Sequence, residues 1–134
     1  MKYFLFLFIV LLFVGCNKKS TTPTEQNNPK IGESFTMKAG ETIAIQGEQL
    51  SFRFDSVLND SRCPEGGVCV WAGNAAVLLT FPDVRDTVNT YLDPKEITHG
   101  NYKVTFQMLT PYPKTDQITI PQNLYNAQFI VSKI

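Results

Sequence analysis

The sequence is poor in the residues and patterns on which many familiar functions depend. It has one histidine, His99, and its longest apolar run, residues 4–14, is well short of the roughly 20 residues of a membrane-spanning helix. Twelve basic side chains are balanced by twelve acidic ones, so the basic excess typical of nucleic-acid-binding proteins is absent. With 134 residues, the chain has room for one domain.

The N-terminal segment has the pattern of an export signal. A short basic start precedes the apolar run of residues 4–14, which has the length of a secretory h-region. The next residues, Phe13-Val14-Gly15-Cys16, resemble the lipobox of bacterial lipoproteins, although Phe13 stands where Leu is usual. The resemblance implies that residues 1–15 form a signal peptide and that Cys16 becomes the acylated, palmitate-bearing mature N-terminus.

Residues 16–30 are predicted to form the lipidated Cys and a flexible tether. Residues 17–30 include no large apolar side chain, so burial cannot offset the entropy lost on ordering them. As a flexible coil this segment reaches roughly 20 Å from the bilayer. Asn17 differs from the Asp that resembles an inner-membrane retention signal, so we expect a lipid-anchored protein of the cell envelope, at the outer membrane.

Residues 31–134 show the two-residue period of β-strands. Apolar and polar side chains alternate around Phe35, Phe52, Phe106 and Phe129, and turn residues separate these runs. No segment has convincing helical periodicity. We therefore predict a monomeric all-β domain of about seven or eight strands, either an antiparallel β-sandwich (immunoglobulin-like) or a small barrel.

The pattern also predicts three local features, two strands and a turn. Residues 68–81 are the longest apolar stretch of the domain and are predicted to be a strand that Gly73 and Asn74 interrupt as a bulge or bend. Ile118 and Ile120 predict another strand, followed by at most one helical turn. Gly47-Glu48 is a plausible hairpin turn.

The cysteines predict one disulfide bond. Once Cys16 is assigned to lipid, Cys63 and Cys69 remain as an even pair in an oxidising compartment. Two thiolates and one imidazole cannot fill a four-ligand zinc site, and the Cys-x-x-Cys spacing of redox enzymes is missing. A bridge over so short a loop mainly fixes the shape of the loop.

The two cysteines lie in a recognisable motif at residues 60–73. It reads Asp-Ser-Arg-Cys-Pro, a short loop, then Cys-Val-Trp-Ala-Gly, and it resembles a motif of small exported bacterial proteins of no settled activity. The resemblance implies neither a reaction nor a ligand. We expect Arg62 to pair with Asp60 or Glu65, and Trp71 to share a strand face with Cys69 and cover the bridge.

Three interpretations of this loop remain. It is a rigid hairpin held by its own charges, or a binding loop that presents Arg62, Glu65 and Trp71 to a partner. The third is a calcium site built from Asp55, Asp60 and Glu65, although the spacing lacks the dense acidic pattern of oxygen-ligand loops.

Catalysis is not indicated. His99 lies in a predicted hairpin tip, and neither a Gly-x-Ser-x-Gly nucleophile motif nor a phosphate-binding glycine loop is present. Nothing in the sequence calls for a metal or another cofactor. We predict a non-enzymatic binding or structural module whose partner is an envelope protein or a polysaccharide, for which Tyr91, Tyr112 and Tyr125 are candidate contacts. The alternative is a small hydrolase or a protease-inhibitor-type domain.

Overall fold

The computed structural model describes residues 28–134 as two four-stranded antiparallel β-sheets with a common core. The signal peptide, Cys16 and most of the tether lie outside the described residues. The strands are β1 Ser34–Lys38, β2 Thr42–Ala44, β3 Ser51–Asp60, β4 Ala75–Thr80, β5 Arg85–Asn89, β6 Glu96–His99, β7 Tyr102–Thr110 and β8 Asn126–Lys133. A short 3-10 turn, Gln122–Leu124, precedes β8 and matches the single helical turn expected there.

The predicted all-β sandwich is confirmed, and the sheets do not close into a barrel. One sheet has the order β1-β8-β7-β6 and the other β2-β3-β4-β5. The chain crosses between the sheets after β1 and after β5, so most neighbours within a sheet are also neighbours in sequence. This order differs from that of the immunoglobulin constant domain, where strands A-B-E-D face C-F-G.

Aromatic rings fill the space between the sheets. The ring of Phe129, on β8, lies 5.8 Å from the rings of both Phe52 and Phe106 and 6.5 Å from that of Phe54. These positions alternate with more exposed ones along their strands, which is the pattern that predicted them. All members of the buried core cluster fall between Met37 and Val131, so this core lies wholly within the sandwich.

One predicted strand is only partly present, and another is absent. Residues 68–74 are irregular, and β4 begins only at Ala75. Residues 118–120 are in no strand either, because the chain between Pro111 and Tyr125 crosses one end of the sandwich. In both segments the apolar side chains do not mark one buried face: Val68, Val70 and Ile118 are among the exposed hydrophobic residues.

Different segments of the chain lie at the two ends of the sandwich. The first described residues lie at what we call the N-terminal end, where Gln46 N–H donates to Pro29 O (2.9 Å) beside the β2–β3 turn. The β6–β7 turn is also there, because the Tyr102 hydroxyl donates to Glu48 Oε2 (2.9 Å) in the β2–β3 turn. The C-terminus lies beside it, since Ile134 N–H donates to Asn101 O (3.0 Å). The opposite, or loop, end carries the connections 61–74, 90–95 and 111–125. The ten-residue strand β3 separates the ends by about 30 Å.

Candidate functional site: the disulfide loop

The disulfide loop, residues 61–74, is a continuation of the β3–β4 hairpin. Ser61 N–H donates to Asn74 O (2.8 Å), and Cys63 N–H donates to Ala72 O (2.9 Å). Beyond this base, Cys63 and Cys69 form the predicted disulfide, with their Cα atoms 6.0 Å apart. The loop therefore has two supports, a hydrogen-bonded base and a covalent bridge nearer its apex.

Gly73 allows the two sides of the base to approach closely. Its φ is +73°, and a Cβ atom at this position would stand 1.9 Å from Ser61 O. Only glycine avoids both the strained backbone and the overlap. The expected interruption at Gly73 is therefore present, at the point where the loop joins β4 and not inside a strand.

Arg62 is the buried centre of the base. It is only 4% exposed, and its guanidinium makes a two-pronged bond to Asp60, with Nε–Oδ1 at 2.9 Å and Nη2–Oδ2 at 2.7 Å. Nη1 donates to Leu109 O, and Nη2 also donates to Pro111 O, each at 2.7 Å. The Tyr112 ring covers it, with Cζ 4.4 Å from the ring centroid. Arg62 thus ties the loop to the end of β7.

Tyr125, which directly precedes β8, is the third side chain of this network. Its hydroxyl donates to Asp60 Oδ2 (2.9 Å). Burial acts to raise the pKa of Asp60, but the hydrogen bonds from Arg62 and Tyr125 outweigh it, and the pKa of Asp60 is lowered. Burial and the bond to Asp60 raise the pKa of Tyr125 to about 12. Asp60 is therefore held as a carboxylate and Tyr125 as a neutral donor at physiological pH.

The expected ion pair of Arg62 is confirmed, but its expected exposure in the binding-loop interpretation is wrong. Of its two candidate partners it takes Asp60, and it is buried instead of exposed beside Glu65. Glu65 is exposed, and its backbone N–H donates to Pro113 O (2.8 Å), which links the loop to the 111–125 connection. Arg62 consequently cannot be presented to a partner, whereas Glu65 is accessible.

The expected position of Trp71 is also wrong. Trp71 is in no strand and is 54% exposed. Its contact is an edge-to-face packing on Tyr91, with the ring centroids 6.4 Å apart. Trp71 therefore belongs to the surface of the loop end and not to the core.

Further exposed apolar side chains flank this aromatic pair along the chain. Val68 and Val70 are as exposed as in an extended peptide, at 103% and 106%. Asn74 Oδ1 accepts hydrogen bonds from the backbone N–H groups of Tyr91 (3.0 Å) and Leu92 (3.2 Å), which holds that segment beside the loop base. We call the five exposed side chains the apolar tip: Val68, Val70, Trp71, Tyr91 and Leu92.

The sequence reasoning missed the apolar tip because it assigned residues 68–81 to one strand. The available signal was the spacing of the run: Gly66-Gly67 and Gly73 bracket Val68 and Val70 with residues that favour turns. A run between two such breaks is more typical of a loop than of a strand.

The three acids of the calcium interpretation do not come together. Asp55 pairs with Arg53 (3.1 Å) and accepts a hydrogen bond from Thr80, and Asp60 is occupied by Arg62. Within residues 28–134, no group of three His, Cys, Asp or Glu side chains is placed to hold a metal ion. The calcium interpretation of the loop is therefore wrong.

His99 occupies the predicted hairpin tip but is not simply solvated. Its ring stacks on Phe81, with centroids 4.5 Å apart and an interplanar angle of 18°. Its Nε2 lies 3.5 Å from Asp83 Oδ1. The stacking explains why this side chain is mostly covered, and it places His99 at the N-terminal end, away from the disulfide loop.

The three tyrosines suggested for sugar binding are separated in the structure. Tyr125 is buried and Tyr112 stacks over Arg62, whereas Tyr91 is exposed beside Trp71. They do not form one row. Tyr91 alone contributes to the apolar tip.

A cavity of about 250 Å³ lies at the loop end between β3 and the 118–125 segment. Its acidic group is Asp60, whose carboxylate is held by Arg62 and Tyr125. A second, of about 150 Å³, is lined by residues of the 111–124 segment.

No family model, curated protein or solved structure matches this chain. In the part of the chain that the structure describes, no helix is long and apolar enough to cross a membrane.

Proposed function

We propose that this chain is a lipid-anchored, non-enzymatic binding module of the bacterial cell envelope. In this proposal residues 1–15 direct export, Cys16 carries the lipid, and residues 17–30 connect it to the sandwich. Asn17, next to the lipidated Cys, favours the outer membrane. The sandwich then acts as a rigid support that holds a binding surface away from the anchor.

The observation that carries the proposal is that the start of the sandwich and the disulfide loop lie at opposite ends of it. The tether enters at the N-terminal end, where Gly32 N–H donates to Val131 O (2.8 Å). The disulfide loop lies at the other end of β3, about 30 Å away. A module that binds a target beyond its own membrane needs this arrangement.

The construction of the loop end supports a role in binding. Apolar side chains on a surface add nothing to the core, and contiguous exposed ones usually mark interaction sites. Here they sit on a loop fixed by a disulfide and by the buried Arg62–Asp60 pair. A surface that is rigid before binding loses less entropy when its target arrives.

The anchor is tested by expressing the full-length chain and its Cys16→Ser variant in a bacterium with a lipoprotein pathway. The parent should enter the detergent phase and yield an acylated N-terminal peptide that begins at Cys16. The variant should stay as uncleaved precursor or appear in the aqueous phase. Full partition of a mature Cys16→Ser protein into detergent would refute the anchor.

A further inference from the structure

The apolar tip is exposed to solvent and is not part of a cavity. Val68 and Val70 are fully exposed on the outer part of the loop, beyond the Cys63–Ala72 hydrogen bond that ends its base. The two cavities of the loop end are lined by other residues, on β3 and on the 111–125 connection. The target of the tip is therefore a surface or medium that accepts projecting side chains, not a small molecule enclosed by the sandwich.

The side chains of the tip differ in chemistry with their distance along the loop from its base. The aliphatic pair Val68 and Val70 lies beyond the Cys63–Ala72 hydrogen bond, and Trp71 adjoins that bond on the returning side of the loop. Tyr91 and Leu92 are held further back, at the level of Asn74. Such an order matches a bilayer, in which aliphatic side chains enter the hydrocarbon and the amphipathic rings of Trp and Tyr prefer the headgroup interface.

The charge of the loop defines the kind of lipid. Residues 63–74 contain no Lys or Arg, and Glu65 is their one ionisable side chain apart from the bridged cysteines. Lys114, which forms a β-bridge with Glu65, balances this acid, so the loop has no basic excess with which to attract anionic lipids. An uncharged, zwitterionic surface is the complementary one, and binding to it should be insensitive to salt.

A lipid surface fits the tip better than a protein partner does. Standard protein interfaces use about 20–30 residues a side. The tip offers five side chains, and membrane affinity needs only enough apolar area to enter the interface.

The length of the tether favours a second membrane over the one that holds Cys16. A coil of residues 17–30 reaches roughly 20 Å, which is less than the length of β3. Turning the sandwich over to bring the tip to its own membrane would need a tether stretched well beyond its coil length. We propose that the apolar tip inserts into the zwitterionic surface of a second membrane, facing the one that holds Cys16. The choice of the second membrane rests on the proposed anchor, whereas the lipid affinity of the tip does not.

The lipid affinity is tested with unlipidated residues 17–134, which contain the whole buried core cluster, and with vesicles of phosphatidylcholine. Trp71 is the one tryptophan of the chain, so its fluorescence reports on the tip alone. The chain should sediment with the vesicles and the emission of Trp71 should shift to shorter wavelength. Added phosphatidylglycerol should not increase binding, and salt should not reduce it.

A matched pair of variants locates the contact. Val70→Asp should lower vesicle binding by about tenfold or more, because the loss of one buried valine side chain alone accounts for about that factor. Val84→Asp makes the same change at an exposed valine of the N-terminal end and should leave binding unchanged. Absence of binding by the parent, or equal loss in both variants, would overturn the proposal. So would a concentration-dependent dimer in sedimentation that accounts for the shift without vesicles.

The second membrane is tested with the lipidated protein in one population of vesicles and a protein-free phosphatidylcholine population. The parent should join the two populations, as energy transfer between labelled lipids would show, and Val70→Asp should not. If Trp71 is already shifted in the first population alone and no joining occurs, the tip binds its own membrane and the proposal of a second one is wrong. That result would leave the Cys16 anchor intact.

Discussion

Replacing Arg62 by Ala separates a structural role from a surface role more sharply than any other change in this domain. The side chains of Arg62 and Asp60 are 2% and 7% exposed, and they are joined by two hydrogen bonds. The variant would leave the carboxylate of Asp60 buried with Tyr125 as its remaining side-chain donor. It would also remove the donors that serve Leu109 O and Pro111 O.

The expected loss is large. Removal of one partner from a buried ion pair typically costs about 3–5 kcal/mol, because the other charge remains desolvated. At about 4 °C per kcal/mol for a domain of this size, the melting temperature should fall by about 12–20 °C. Glu65→Ala, a change at an exposed neighbour, should stay within about 0.5 kcal/mol.

The pH dependence gives an independent check. The pKa of Asp60 is lowered in the folded parent, so its contribution to stability is present above the unfolded pKa and is lost as the pH falls through the folded one. Without Arg62, burial should raise the folded pKa of Asp60, which favours the folded state at low pH. The stability gap between parent and variant should therefore narrow between neutral pH and about pH 4.

The measurement is urea unfolding of residues 28–134, followed by far-ultraviolet circular dichroism at several pH values. Circular dichroism reports on the sheets, whereas Trp71 reports only on the tip. An Arg62→Ala variant within about 1 kcal/mol of the parent at neutral pH would refute the buried network. A gap that widens toward acid would refute the assignment to Asp60.

Three further changes probe the loop. Trp71→Ala should cost less than about 1 kcal/mol, because its ring is 54% exposed; a loss of about 3 kcal/mol or more would show that it is a core residue. Gly73→Ala should greatly reduce the yield of folded protein or its melting temperature, whereas Gly100→Ala, with positive φ but open space, should be milder; equal effects would contradict the close approach at Gly73. Changing both Cys63 and Cys69 to Ser should cost less than about 3 kcal/mol by thermal unfolding, since the closed loop is short; failure to fold would show that the base depends on the bridge.

The sequence predicted those parts of the fold in which burial alternates along a strand. β1, β3, β7 and β8 all have this pattern, and their inward residues form about half of the core. β5 and β6 are edge strands, one in each sheet. An edge strand is less completely covered, so its composition is more polar and its period is harder to detect. The strand count was therefore better predicted than the strand positions.

The candidate site was predicted in composition but not in geometry. The Cys63–Cys69 bridge followed from compartment and parity, which need no coordinates. The burial of Arg62 did not, because its acceptors Leu109 and Pro111 are 47 and 49 residues away along the chain. A contact so distant in sequence leaves no local pattern. Trp71 was misplaced for the opposite reason: its local pattern resembles a strand, and only the turn at Gly73 separates it from one.

Two features of the loop end do not increase the stability of the fold. Both are explained if the loop end serves to present the apolar tip to a target. A buried ion pair such as Asp60–Arg62 is often no more stabilising than apolar residues of the same volume. Fully exposed valines at positions 68 and 70 add no core packing. Stability alone would favour two apolar residues at positions 60 and 62 and polar residues at positions 68 and 70. The combination has a physical reason if the base must hold one geometry while the apex keeps apolar side chains in water until a target covers them.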